Sequence, residues 1–166
     1  MIPGSVKKAL NTSSIDNFYL KMYKNMRKSL NQVIEGNDTY SSYHYSMLIN
    51  NFELFLKGFL FQKLNTGEWK EPHPHYLTED HKIMKLLDQI DKFIPMYSNM
   101  TQKDKAEFQK FISGICRQYT TARYSEYVPY EDFLQLNNEV VMPFIEKIQA
   151  SLLEKNDIVI EFEEGL

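Results

Sequence analysis

The chain has 166 residues, 43% hydrophobic and 25% charged, an ordinary balance for one soluble domain with a sizeable core. Its net charge of −3, from 19 Lys plus Arg against 22 Asp plus Glu, excludes a strongly basic nucleic-acid binder and leaves room only for local basic patches. With 11 Tyr and 11 Phe but only 6 Gly and 6 Pro, the composition favours long helices over many short strands.

Residues 1–13 read as an N-terminal arm. The opening MIPGSVKKALNTSSID has no apolar run long enough for a secretory signal, so a cytoplasmic location is expected. Residues 14–35 carry Ile15, Phe18, Tyr19, Met22, Met26, Leu30 and Val33 at spacings of three and four, the pattern of an amphipathic helix. Ser13 or Ser14 is placed to cap it, and Gly36-Asn37 to stop it. Lys21, Lys24, Arg27 and Lys28 fall mostly off the stripe and read as a solvated basic face.

The segment 39–64 is the most apolar. Met47, Leu48, Phe52, Leu54, Phe55, Leu56, Phe59, Leu60 and Phe61 cover more than one face, which predicts a helix in the middle of a bundle or one that buries a side against another subunit. Glu53 and Lys57 stand one turn apart in the favourable order for pairing on the helix surface. Gly58 costs roughly 1 kcal/mol of helix propensity against Ala, which suggests that a neighbouring backbone comes close.

A loop with Pro72, Pro74 and the only tryptophan follows. Thr78 is then placed to cap a third helix, which ends near Lys92 before Pro95. The fourth runs over 101–124, started by Thr101 and Asp104, with Phe108, Phe111, Ile112, Ile115, Tyr119 and Ala122 inward. It carries Cys116, the only cysteine, so an intrachain disulfide is excluded and a buried inert thiol is expected. The fifth runs over 130–154, with Phe133, Val140, Val141, Phe144, Ile148 and Leu152 inward and Pro143 predicting a kink. Residues 156–166 form an acidic tail in which Ile158, Ile160 and Phe162 alternate. With no comparable strand to pair with, it reads as a frayed end or an arm for a partner. The expected architecture is one all-α, up-and-down bundle of about five helices over 14–155. No stretch approaches the roughly 18 apolar residues of a membrane span.

Two constellations carry possible chemistry. His73, His75 and His81, with Glu71, Glu79 and Asp80 nearby, supply enough nitrogen and oxygen for zinc. His-Pro-His is also a plain polar turn, and His81 in the first turn of its helix can simply fix the loop, its neutral form favoured by the helix dipole. QYTTARYSEYVPY, preceded directly by Arg117, gathers Arg123, Tyr119, Tyr124, Tyr127 and Tyr130 with it at the end of the fourth helix. Guanidinium groups recognise phosphate bidentately and phenol rings offer stacking faces, the set a nucleotide pocket uses. The same residues also serve as C-terminal cations and core aromatics.

The order of these features resembles the HEPN family (higher eukaryotes and prokaryotes nucleotide-binding domains). FELFLKGFLFQKL, 52–64, is similar to the family's central helix with its Glu and Lys, here Glu53 and Lys57. HKIMKLLDQI from His81 resembles the histidine that opens the next apolar helix, and ARYSEY, 122–127, the Arg-Tyr closing the fourth. The resemblance spans nearly the whole chain. Ribonuclease members carry an Arg followed within about four to six residues by a His, able to steer a proton while the guanidinium holds the phosphate. Arg27, Arg117 and Arg123 are the only arginines and none has a histidine at that spacing.

The resemblance therefore implies the non-catalytic branch, with no catalytic residue and no cofactor. It implies a binding module for a nucleotide, an RNA-related ligand or a small nucleotidyltransferase in a toxin-antitoxin-like pair. The expected ligand-binding set is Glu53, Lys57, His81, Arg117, Arg123 and Tyr124, sharing one hollow in the bundle. A homodimer through an aromatic helix face is expected. Two alternatives stand beside it: a ribonuclease with displaced acid-base residues, His81 and Arg123 converging, and a metal-bound regulatory module on His73, His75 and His81.

Overall fold

The computed structural model describes residues 17–70, 83–123 and 127–154, with side chains for all of these except 116–123 and 152–154. Every regular element among them is helical: α1 (Phe18–Ile34), α2 (Ser42–Asn65), α3 (Ile83–Asp91), α4 (Gln102–Arg123), α5 (Tyr130–Leu136), a π-helical turn (Asn137–Val141) and α6 (Met142–Glu154). The chain is an all-α helical bundle, and the last three elements run on as the fifth expected segment. The arm 1–13, Ser13, Ser14, Thr78, the Cys116 side chain and the tail 156–166 lie outside the described residues.

Asn17 starts α1. Its backbone is extended, and its side-chain oxygen accepts from the amides of Tyr19 at 3.1 Å and Leu20 at 3.4 Å. The helix therefore begins at Phe18, later than the periodicity predicts. Gly36 ends it at φ 78°, where the Gly36 amide reaches Val33 O at 3.1 Å and the Asn37 amide reaches Gln32 O at 2.8 Å. These paired bonds close the helix as Gly36-Asn37 predicts.

Helix α2 is the axis of the bundle and touches α1, α3, α4 and α5. Leu48, Phe55, Leu56, Phe59, Leu60 and Phe61 are all essentially without exposure. Helix α1 packs antiparallel to it: Asn17 Nδ2 donates to Gly58 O at 2.6 Å, while Asn51 Nδ2 donates to Tyr23 O at 2.9 Å, so numbers rise on one helix as they fall on the other. The close approach expected at Gly58 is present, because a Cβ there would sit 2.7 Å from Leu20 Cγ and 3.3 Å from the Leu20 amide nitrogen.

Two expected inward positions turn out. Met22 is 39% exposed while Tyr23 takes the buried place, and Phe111 is 50% exposed while Ile112 and Ile115 form the seam of α4. In each case a neighbouring residue takes the buried side, and the spacing alone did not fix which side of the stripe was inward. Pro143, expected as a kink, is preceded by the π-helical turn, in which the Met142 amide bonds Asn137 O five residues back. The wider turn moves backbone carbonyls away from the proline ring, which has no amide of its own to offer.

Candidate functional site

Of the six residues expected to bind ligand, Glu53 and Lys57 are described with their side chains. They meet, with Lys57 Nζ 2.6 Å from Glu53 Oε1, but not on the surface: Glu53 is 3% and Lys57 7% exposed. Because α2 is enclosed on nearly every side, a pair one turn apart has no outer face to occupy. The Tyr19 phenol on α1 is pushed above its ordinary range by burial and, secondarily, by the Glu53 charge, so the pair borders the α1–α2 seam. Arg117 and Arg123 fall on the last turns of α4, but their side chains, like His81, Tyr124, His73 and His75, lie outside the described residues. Among the described residues no group of three His, Cys, Asp or Glu converges as a metal site would.

The far end of α4 leads into a segment whose anchoring the sequence does not announce. The Val128 amide donates to Ser42 Oγ at 2.8 Å, and the Tyr40 hydroxyl donates to Val128 O at 2.8 Å. Both partners belong to the first turn of α2 and the residues before it. Tyr40 also packs on Tyr130 and Phe133, with ring centroids 5.2 and 5.3 Å away, and Tyr130 stacks on Phe133 at 6.0 Å. Tyr130 is thus part of an internal aromatic cluster and not a free stacking face. Tyr127, beside the anchored Val128, is 76% exposed. Burial, aided by Tyr127 and other neighbours, pushes the Tyr40 phenol up to about 12. Burial and the Asp132 carboxylate do the same to Tyr45.

His44 is accounted for locally. It accepts from the Ser41 amide through Nδ1 at 3.0 Å, closing the N-terminus of α2 as a glutamate would in a capping box. Lys63 is held by Glu68 at 2.9 Å and lies over the rings of Phe59 and Phe93, 5.7 and 5.9 Å from their centroids.

Arg27 departs from the solvated basic face. Lys21, Lys24 and Lys28 are exposed, whereas Arg27 turns inward to Tyr23 and donates from Nη1 to Asn137 Oδ1 at 2.8 Å. The cause is its place on α1, one turn beyond the buried Tyr23 and facing the π-helical turn. A basic run read as one face conceals that one of its members points elsewhere.

No helix among the described residues is long and apolar enough to cross a membrane. Set beside known proteins, the chain finds no counterpart: no family model, no curated protein and no solved structure matches it.

Proposed function

We propose that this bundle is a HEPN-like, non-catalytic binding module for a nucleotide or RNA-related ligand. The observation that carries the reading is the anchored connection between α4 and α5. Val128 is fixed through both its amide and its carbonyl, and the adjacent Tyr127 ring faces solvent a few residues past Arg123. A rigidly based aromatic ring close in sequence to two arginines, Arg117 and Arg123, suits a base on a phosphate-bearing chain. In this reading the arginines take phosphate, and Tyr124 and Tyr127 offer stacking faces. The Glu53–Lys57 pair lies within the bundle further along α2, and in this reading His81 positions its loop. A buried ion pair contributes little net stability, which fits retention for a role other than holding the fold together.

The test is equilibrium binding of nucleotides and short single-stranded RNA to the wild type, Arg123→Ala and Tyr127→Ala, with RNA cleavage followed in parallel. Binding by the wild type that falls in both variants, without cleavage, is the expected outcome. No binding to any of these ligands overturns the reading. Cleavage that His81→Ala abolishes replaces it with the ribonuclease alternative.

A second copy of the chain is the proposed partner for the outer side of α4. There Phe111 stands half-exposed with Glu107, Lys110, Gly114 and Ile115 around a shallow hollow of about 460 Å³. Residues 107, 110, 111 and 114 are spaced as the hole that accepts a side chain from a facing helix.

A further inference from the structure

Three cations turn inward in the described bundle, and they are treated differently. Lys57 has Glu53 and Lys63 has Glu68. Arg27 has no carboxylate among the described residues. Its Nη1 is taken by Asn137 Oδ1 at 2.8 Å, and its Nε and Nη2, both shielded from solvent, have no hydrogen-bond acceptor. Those two nitrogens are one edge of the guanidinium. Their N–H groups point the same way and form the fork that grips two oxygens of a phosphate or carboxylate.

The surroundings do not neutralise the charge. The guanidinium carbon lies 5.8 Å from the centroid of the Tyr23 ring. Burial, the larger influence, keeps that phenol above its ordinary range although the charge of Arg27 and a hydrogen bond from it oppose the shift, so the Tyr23 hydroxyl is a neutral acceptor and supplies no counter-charge. A shielded cation without an anion is costly, and unsatisfied buried polar atoms in a folded chain point to an unseen ion or water. A second unsatisfied group borders the same turn of α1. Asn51 is fully buried, spends its Nδ2 on Tyr23 O at 2.9 Å and leaves its Oδ1 without a partner. Asn137, which fixes the far edge of the guanidinium, opens the π-helical turn, a feature that concentrates at functional sites. Arg27 as a whole residue keeps part of its surface exposed.

We propose that the free fork of Arg27, with Asn137 fixing its opposite edge and Asn51 against the same turn of α1, is a binding site for a phosphate group. The fork takes two phosphate oxygens, and a protonated third oxygen has Asn51 Oδ1 as an acceptor, a match that a carboxylate bound through both oxygens lacks. This site is separate from the Arg123–Tyr127 region and does not rest on the reading given for it.

The experiment titrates inorganic phosphate, and separately adenosine monophosphate, into the wild type and Arg27→Lys at constant ionic strength, with chloride as the control anion. Melting temperature and the side-chain Nε–Hε resonance of Arg27 in proton–nitrogen spectra are followed together. Arg27→Lys keeps the charge and removes the fork. The expected result is a rise in melting temperature and a displaced Arg27 resonance in the wild type, with affinity at least about tenfold weaker in Arg27→Lys. A response to inorganic phosphate identifies a free ion as sufficient, and a response to the nucleotide alone identifies a phosphate monoester. No change with either probe overturns the proposal. So does an equal rise in Arg27→Lys, which puts the anion elsewhere. Should Arg27→Lys fail to fold, the wild-type resonance decides by itself. Arg123→Ala and Tyr127→Ala leave this response intact, so the two sites fail or survive independently.

Discussion

Glu53 and Lys57 meet at 2.6 Å one helical turn apart, inside the bundle and not on its rim. Removing one member leaves the other charge sequestered. Lys57→Met alone is expected to destabilise the fold by about 3 kcal/mol or more, whereas Glu53→Leu combined with Lys57→Met costs much less than the sum of the single changes. Chemical denaturation of the four proteins of this cycle measures the coupling. Additive losses would mean that the pair behaves as two independent surface charges.

Gly58→Ala tests the α1–α2 contact. The alanine gains about 1 kcal/mol of helix propensity, but its methyl group would lie 2.7 Å from Leu20 Cγ and 3.3 Å from the Leu20 amide nitrogen. Overpacking of this kind costs about 1–3 kcal/mol, so the melting temperature falls. Leu20→Ala in the same chain recovers part of the loss, and a Gly58→Ala protein more stable than the wild type would refute the close approach.

Alkaline stability follows from the two phenols near the start of α2. Tyr40 and Tyr45 are raised to about 12 in the folded chain from an ordinary 10. A raised value means that the unfolded chain loses its proton first. The associated stability is complete below about pH 10 and disappears as pH climbs toward 12. Unfolding free energy measured across that interval should drop steeply in the wild type. The decline should be shallower in Tyr40→Phe and Tyr45→Phe, the Tyr40 variant also losing its bond to Val128.

Phe111→Ser separates association from folding. The ring is half-exposed, so the substitution changes monomer stability by less than about 0.5 kcal/mol. If two copies pair through this side of α4, sedimentation velocity will show the wild type as a dimer and the variant as a monomer. A wild type that stays monomeric at high concentration removes that interface.

The fold was legible where repetition carried it. Apolar residues at spacings of three and four announced five helical segments, and a glycine within the greasiest of them announced a close neighbour. The site was less legible because its geometry depends on pairs remote in the chain. Glu53 and Lys57 were found by spacing, yet their burial is decided by four other helices. Arg27 was hidden among lysines that share its charge and not its direction. Tyr40 and Ser42 reach Val128 across 88 and 86 residues, a relation that no local pattern encodes. Pro143 announced an irregularity, but nothing in its neighbourhood said that the chain would answer with a wider turn.

The double grip on Val128 has a dynamic consequence. Its amide proton cannot reach solvent unless the Ser42 hydroxyl lets go, and Tyr40 holds the carbonyl of the same residue, in the next peptide unit. Hydrogen exchange at Val128 should therefore be slow for a connecting segment, approaching the rate of the interior of α2. Neighbouring Tyr127, outside the clasp, should exchange early, so that protection changes abruptly between two adjacent residues.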